Sequence, residues 1–194
     1  MNSNSTNEAM YKLVLVGDGA VGKTSIRRNY LGKGFISSHI ATIGVDFAQK
    51  YVSVGQKTVR LVIWDLSGQT SFERVRKHYY QGCRALLLVY SVVERETFDN
   101  LTRWLVEVYR YIHEIPPTAI LGNKVDLRSS ELHENEVSTE EGLRFRDLFV
   151  KKLGIPAVFH ETSAKTGENT QEAFSEITKI LLAEDSKKQA KADH

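Results

Sequence analysis

The sequence predicts a single α/β domain, built as a doubly wound, six-stranded and mostly parallel sheet with helices on both faces. Short apolar runs of strand length alternate along the chain with longer segments of helical periodicity, which is typical of a parallel sheet buried on both faces. Two alternating stretches flank Gly55-Gln56, a hairpin signal, so the second strand is expected to run antiparallel beside the third. The length of 194 residues suits one such domain.

The individual elements follow from the same patterns. Apolar runs predict strands at Lys12 to Val16, Arg60 to Trp64, Ala85 to Val92, Ala119 to Leu121 and Ala157 to Phe159, and the hairpin covers Val45 to Val59. Helical periodicity predicts helices at Lys23 to Leu31, Ser71 to Tyr80, Glu96 to Ile112, Thr139 to Leu153 and Asn169 to Leu182. We expect a disordered N-terminal tail over residues 1–9, the domain over 10–183 and a flexible C-terminal tail over 184–194.

Composition and charge exclude several classes of protein. The single cysteine, Cys83, allows no internal disulfide and fits a reducing compartment, where a small buried side chain is its expected role. No apolar run approaches the roughly 18 residues that a membrane span needs. With 26 Lys and Arg against 24 Asp and Glu, the net charge of +2 gives no basic face for nucleic acid. We therefore expect a cytoplasmic monomer that does not bind nucleic acid.

A phosphate-binding loop (P-loop) follows the first predicted strand. Residues 17–24 read Gly-Asp-Gly-Ala-Val-Gly-Lys-Thr and match the pattern G-x-x-x-x-G-K-[ST], with a helix predicted after them. Glycines let backbone N–H groups turn around an anion, the helix directs its positive end towards phosphates, Lys23 reaches the β and γ oxygens, and the Thr24 hydroxyl can bind Mg²⁺. The residues expected to bind phosphate are Asp18, Gly19, Ala20, Val21, Gly22, Lys23, Thr24 and Ser25.

Two motifs near the end of the chain predict recognition of a guanine base. Asn123-Lys124-Val125-Asp126 follows the fifth strand, and the Asp126 carboxylate suits the adjacent N1–H and 2-amino donors of guanine. Opposite adenine the same carboxylate would be left unpaired, so the motif also excludes the wrong base. Ser163-Ala164-Lys165 follows the last strand, where the Ala164 N–H is expected at the guanine carbonyl and the Lys165 stem over the ring.

An Asp-x-x-Gly motif ends the third strand. Asp65 is expected to hold Mg²⁺ through water, and Gly68 allows its N–H to approach a γ-phosphate. Because the carboxyl ends of strands in a doubly wound sheet form one ligand crevice, all these motifs are expected at one edge. The residues alone therefore predict a Mg²⁺-dependent guanine nucleotide site.

From about Tyr11 to Leu182 the sequence resembles the small GTPases of the Ras superfamily and is most similar to the Rab family. The segments that carry the similarity to Rabs are Thr42 to Phe47, Arg60 to Asp65 and Tyr79 to Gly82, against the family patterns T-I-G-V-D-F, K-L-Q-I-W-D and Y-Y-R-G. The resemblance implies a P-loop small G domain that binds GTP and GDP with Mg²⁺ and hydrolyses GTP slowly. It also implies a switch in membrane traffic or related signalling, with effector, exchange-factor and GTPase-activating proteins as partners.

The resemblance also implies roles for single residues. Thr42 is expected to bind Mg²⁺ through its hydroxyl and the γ-phosphate through its N–H, Gln69 to orient the attacking water, and Phe35 to lie against the guanine. The expected catalytic set is Lys23, Thr42 and Gln69. The residues expected to contact effectors are Ile43, Phe47, Trp64 and Tyr79, of which the last three have the spacing of the Rab aromatic triad.

The chain also departs from the Rab pattern. Leu66, Ser67 and Thr70 replace residues of the usual D-T-A-G-Q-E, which puts contacts with exchange factors and activators in question. Rabs end in one or two prenylatable cysteines, whereas this chain ends in Ala-Asp-His. We expect either a longer, lipidated native tail that attaches the protein to a membrane, or a protein that works without a lipid anchor. The basic residues that follow Gln69 are expected to form a solvated helix face, with a patch for an acidic partner as the alternative; they are Arg74, Arg76, Lys77 and His78.

Two other functions stay open. A binding module that holds GTP permanently would result if the altered residues beside Gln69 impair hydrolysis. A P-loop kinase of small nucleotides would need an arginine-rich lid, which the sequence does not show. Phosphate release by a Gln69→Leu variant and competition between GTP and ATP distinguish these alternatives from a GTPase.

Overall fold

The computed structural model describes residues 9–36, 42, 44–69, 72–129 and 133–192, and within them six strands form one sheet. The strands are β1 (Ala9–Val16), β2 (Val45–Val54), β3 (Lys57–Leu66), β4 (Ala85–Ser91), β5 (Thr118–Asn123) and β6 (Ala157–Thr162). Their order is β2-β3-β1-β4-β5-β6, and among these described strands only β2 runs antiparallel to its neighbour. The predicted doubly wound α/β fold with an antiparallel second strand is confirmed.

Helices cover both faces of this sheet. They are α1 (Lys23–Tyr30), α2 (Glu73–Tyr80), α3 (Arg95–Asp99), α4 (Leu101–Ile112), α5 (Thr139–Leu153) and α6 (Thr170–Ala192), with a short 3₁₀ turn at Val125–Leu127. The helix predicted over Glu96 to Ile112 is divided in two at Asn100. The Asn100 amide donates a hydrogen bond to Asp18 Oδ2 over 2.7 Å, which ties this junction to the P-loop.

The apolar core lies in two layers, one on each side of the sheet. Alternating residues of β1 supply both layers: Leu13 packs with the α1 and α6 side, and Val14 packs with the α2 and α4 side. All seven residues of β4 are buried, as expected for a central parallel strand. Cys83 is also buried, and burial raises the pKa of its thiol to about 12, so it remains a protonated, small core side chain.

The first strand and the last helix are longer than the sequence predicts. Strand β1 begins at Ala9 instead of Lys12, and α6 continues to Ala192, beyond the predicted helix end at Leu182. The continuation has local contacts, since Asp185 accepts hydrogen bonds from Tyr11 Oη over 2.8 Å and from Arg84 Nη2 over 2.6 Å. Within the described part of the chain, no helix is both long and apolar enough to cross a bilayer.

Candidate functional site

A cavity of about 900 Å³ opens at the carboxyl edge of the sheet, within the size range of small-molecule sites. All four sequence motifs contribute to its wall, as the order of the strands predicts. The predicted site residues that line it are Gly19, Ala20, Gly22, Lys23, Thr24, Ser25, Phe35, Thr42, Gly68, Gln69, Asn123, Lys124, Asp126, Ala164 and Lys165. Four residues of the predicted nucleotide and metal site do not line the cavity, although each is next in the chain to a residue that does: Asp18, Val21, Asp65 and Ser163.

The P-loop has the tight turn that its glycines predict. Gly17 and Gly22 have φ angles of +141° and +99°, and a Cβ would lie 2.1 Å from the Val89 carbonyl oxygen at Gly17 and 2.2 Å from Asn123 Nδ2 at Gly22. The Lys23 ammonium lies inside the loop and donates to the carbonyl oxygens of Gly17 and Asp18 over 2.7 and 2.6 Å. Burial lowers the pKa of Lys23 to about 8. A cationic donor is thus held where the loop surrounds the cavity.

Three oxygen groups from three separate segments meet beside Lys23. Thr24 Oγ1 donates to Asp65 Oδ2 over 2.6 Å and lies 2.7 Å from Thr42 Oγ1. Asp65 is fully buried, and burial raises its carboxyl pKa. Its second oxygen, Oδ1, has no hydrogen-bond partner among the described residues. Two hydroxyls and one buried carboxylate, with one of its oxygens unpaired, are the hard oxygen ligands that fit Mg²⁺.

The opposite end of the cavity carries the residues predicted to recognise guanine. Asp126 Oδ1 accepts a hydrogen bond from Ser163 Oγ over 2.6 Å, and Lys165 Nζ lies 3.8 Å from Asp126 Oδ2. Asn123 joins two loops, since its Nδ2 donates to the Val21 carbonyl over 2.8 Å and its Oδ1 accepts from the Ala164 N–H over 3.1 Å. The Ala164 N–H, predicted at the guanine carbonyl, is therefore bonded to Asn123 here.

The segment that carries Gln69 packs against the P-loop. A Cβ at Gly68 would lie 2.5 Å from both the Asp18 carbonyl oxygen and the Gly19 nitrogen, so only glycine fits this contact. Gln69 is exposed and lines the cavity. The neighbouring Ser67 is buried, and its hydroxyl accepts a weak hydrogen bond from the Gln69 N–H over 3.4 Å. Thr70 lies outside the described residues.

Two arginines near the site were not predicted from the sequence. Arg27, on α1, lines the cavity, forms an ion pair with Asp46 that lowers the Asp46 pKa, and has its Nε 3.8 Å from Asp65 Oδ2. Arg27 lies four residues after Lys23 on the same helix face, and this spacing in the sequence could have indicated that it lines the cavity.

The expectation of a solvated basic face is wrong for Arg76, which is only 1% exposed. Its guanidinium pairs with Glu107 and donates to the carbonyl oxygens of Ser67 and Gln69. Arg76 lies four residues before Tyr80 on one helix face, but no local pattern in the sequence indicates its buried partner Glu107.

The predicted aromatic triad forms a cluster outside the cavity. The Phe47 and Trp64 ring centroids are 5.0 Å apart, and the Trp64 and Tyr79 centroids are 5.1 Å apart. Phe47 is 52% exposed, whereas Trp64 and Tyr79 are half-buried and pack against the core, so the cluster reaches from the core to the surface. Ile43, also predicted to contact effectors, lies outside the described residues.

Comparison with known proteins agrees with this geometry. The sequence model of the Ras family matches residues 12–183. The chain is 39% identical over 178 residues to Ras-related protein RABD2c of Arabidopsis thaliana, covering 92% of this chain and 83% of the relative. It is 37% identical over 171 residues to GTP-binding protein YPTM2 of Zea mays, covering 88% of this chain and 79% of the relative. The chain therefore belongs to the Ras family of small GTPases and is a Rab-like GTP-binding protein.

Proposed function

We propose that this protein is a nucleotide-dependent switch that binds GTP with Mg²⁺, hydrolyses it to GDP and phosphate, and regulates membrane traffic or related signalling. The observation that carries the proposal is the convergence of Thr24, Thr42 and Asp65 beside the buried Lys23. These three residues come from separate parts of the chain: Thr24 from the P-loop, Thr42 from the segment before β2, and Asp65 from the end of β3. A phosphate group bound there with its Mg²⁺ would link all three segments, with Asp65 on the side of the metal ion.

The chemistry proposed for the site is positioning combined with electrostatic stabilisation. The N–H groups of the P-loop and the Lys23 ammonium face the negative charge that builds on the transferred phosphoryl group. Mg²⁺, held by the Thr24 and Thr42 hydroxyls and by Asp65 through water, supplies further charge neutralisation when bound. Gln69 aligns the attacking water. Hydrolysis is expected to be slow alone, with an activating protein supplying on the order of 10³–10⁵-fold.

Guanine selectivity is proposed to rest on Asp126. Its carboxylate lines the cavity, and the Ser163 hydroxyl occupies Oδ1, which fixes the orientation of the group. Two donors on one edge of guanine satisfy the carboxylate, whereas adenine offers an acceptor there. Lys165 and Phe35, which line the same cavity, are proposed to cover the base.

The signalling output is proposed to come from two segments, residues 36–46 and 67–80. The γ-phosphate would hold Thr42 in the first and Gly68 in the second, and hydrolysis would release both. Phe47 directly follows the first segment, Tyr79 lies near the end of the second, and both rings pack against Trp64. Release of the segments would therefore change the surface of the aromatic cluster. We propose this cluster, together with Ile43, as the contact for effector proteins; exchange factors and activators are expected to act on the same segments.

Single-turnover hydrolysis tests the proposal. The protein is loaded with GTP, and phosphate release is followed for the unchanged chain, for Gln69→Leu and for Gln56→Leu, a control in the exposed hairpin turn. We expect Gln69→Leu to slow release by at least about tenfold because water is no longer aligned, and the control to match the unchanged chain. No measurable release by the unchanged chain would favour the permanent GTP-binding module.

Competition between nucleotides tests the guanine site separately. We expect ATP to displace bound GDP only at concentrations about 5- to 150-fold higher than GTP, since a carboxylate left unpaired against the wrong base costs roughly 1–3 kcal/mol. Asp126→Asn should weaken GTP binding and relax this discrimination. Comparable affinity of the unchanged chain for ATP and GTP would favour the small-nucleotide kinase instead.

A further inference from the structure

Arg76 occupies a buried position between α2 and α4, next to the segment that carries Gln69. Its Nε and Nη2 donate to the two carboxylate oxygens of Glu107 over 2.7 and 2.8 Å. Tyr80 Oη donates to Glu107 Oε1 over 2.6 Å, and the guanidinium lies 4.7 Å from the centroid of the Trp104 ring. The charged pair is thus oriented from both sides by aromatic groups.

Stability alone does not account for this pair. Moving two charges out of water costs several kcal/mol per ion, and well-packed apolar residues of similar volume often stabilise a fold as well or better. What a guanidinium adds is a rigid fork of five donors with a fixed geometry. With two of its nitrogens held by Glu107, the direction of the third is fixed.

The third nitrogen of the fork reaches the site. Arg76 Nη1 donates to the carbonyl oxygen of Ser67 over 3.0 Å and to that of Gln69 over 2.5 Å. These two carbonyls flank Gly68, whose backbone packs on the P-loop. One side chain therefore spans the segment from which the Gln69 side chain extends into the cavity.

The same helix, α4, also holds the P-loop. Trp104 Nε1 donates to Asp18 Oδ1 over 2.7 Å, one turn of helix before Glu107. Through Glu107 and Arg76, α4 reaches the carbonyl of Gln69; through Trp104, it reaches the loop expected to hold the phosphates. The segment that carries Gln69 and the P-loop are thus both hydrogen-bonded, directly or through Arg76, to side chains of α4.

We propose that Arg76 is a positioning residue for GTP hydrolysis: oriented by Glu107, it holds the 67–69 backbone so that Gln69 presents its side chain to the attacking water. The inference rests on the proposed role of Gln69. It fits the steep dependence of such reactions on geometry, in which a displacement of about 1 Å can cost on the order of 10²-fold in rate.

The test compares variants at the buried pair with a matched exposed pair between the same helices. Arg76→Met removes the fork, and Arg76→Met combined with Glu107→Gln removes both charges while leaving an acceptor for Tyr80. Arg110→Met is the control, because Arg110 Nη1 joins Glu73 on α2 over 3.0 Å with its side chain 60% exposed. Each protein is assayed for single-turnover hydrolysis, GDP dissociation rate and thermal midpoint.

We expect both Arg76 variants to hydrolyse GTP about 10- to 100-fold more slowly, with GDP dissociation within about threefold of the unchanged chain. Arg110→Met should leave hydrolysis within about twofold. Arg76→Met alone could be too unstable to load with GTP. In that case the hydrolysis rates of the neutral double variant and of Arg76→Lys test the proposal, because the single Lys nitrogen cannot bond to both carbonyls and to Glu107. Hydrolysis at the unchanged rate in a folded Arg76 variant would overturn the proposal, as would slow hydrolysis with equally accelerated GDP loss.

A double-mutant cycle separates this proposal from the proposed role of Gln69. If Arg76 acts through Gln69, adding Arg76→Met to Gln69→Leu should slow hydrolysis by no more than about twofold further. A full additional loss would show that Arg76 acts independently and would overturn the proposal. If Gln69→Leu itself hydrolyses at the unchanged rate, the role of Gln69 fails; if only the Arg76 variants are unaffected, this inference fails alone.

Discussion

Lys23 combines the two properties that a phosphate site needs from one residue, since it is charged and almost inaccessible to water. Burial lowers its pKa to about 8, and Asp65 and Asp18 limit the fall. Above pH 8 the free protein therefore holds Lys23 mostly neutral, whereas a bound polyphosphate would favour the protonated form. Binding above this pH should take up a proton, and affinity should fall as pH rises, by up to about tenfold per pH unit.

Calorimetry of GDP binding in two buffers of different ionisation enthalpy measures this uptake. We expect it to increase from pH 7 to pH 8.5, after subtraction of the titration of free GDP. Equal heats in the two buffers at pH 8.5 would show that Lys23 takes up no proton on binding, against the lowered pKa of this group.

Single residues could be predicted from the sequence where a local pattern specifies them. Gly17 and Gly22 were predictable because the turn leaves no space for a Cβ, and Lys23 and Thr24 follow at fixed spacing. The burial of Arg76 could not be predicted, because it depends on Glu107, which lies 31 residues further along the chain. A basic residue among other basic residues predicts a solvated face unless the distant partner is known.

Among the helices, α5 has the best-defined start. Ser138 Oγ accepts from the Glu141 N–H over 3.2 Å, and Glu141 Oε2 accepts from the Ser138 N–H over 2.9 Å, which forms a capping box. We expect Ser138→Ala to lower the free energy of unfolding of the GDP-bound protein by about 1 kcal/mol. Urea denaturation measures the loss.

The control for the cap is Ser186→Ala on α6, where the exposed hydroxyl donates to the Leu182 carbonyl within the helix. Such a bond adds little, so this change should stay within about 0.5 kcal/mol. Equal losses at the two serines would show that the capping box contributes nothing specific. Neither change should alter GDP affinity, because neither residue lines the cavity.

Helix boundaries can be explained from the sequence where a local signal marks them. Gly154 ends α5 in a left-handed conformation, with φ +67°, and the sequence shows this. The division at Asn100 and the continuation of α6 to Ala192 were missed, because each depends on a contact with a distant element: Asp18 in the first case and Tyr11 and Arg84 in the second. Periodicity carries no information about such partners.

At the scale of the whole molecule, the two ends of the strands have different contacts. We call the carboxyl ends, where the cavity lies, the binding edge, and the amino ends, where α6 is held, the bracing edge. The cavity lies at the carboxyl ends of the strands. Tyr11 lies near the start of β1 and Arg84 directly before β4, so the hydrogen bonds that both donate to Asp185 of α6 lie at the amino ends. The strands β1, β4 and β5, which run between the two edges, are largely buried. Contacts at the bracing edge should therefore stabilise the fold without changing the geometry at the phosphates.

Asp185→Ala tests this separation. The variant should lose about 1 kcal/mol of unfolding free energy, a modest value because the Asp185 and Arg84 side chains are 32% and 36% exposed. Its GDP affinity and single-turnover hydrolysis rate should stay within about twofold of the unchanged chain. Glu184→Ala is the matched control, since it removes the same charge one residue earlier, from a side chain with no hydrogen bond or ion pair within the described part of the chain. If Asp185→Ala changed GDP affinity while Glu184→Ala did not, the two edges would be coupled through β1, and α6 would be part of the switch.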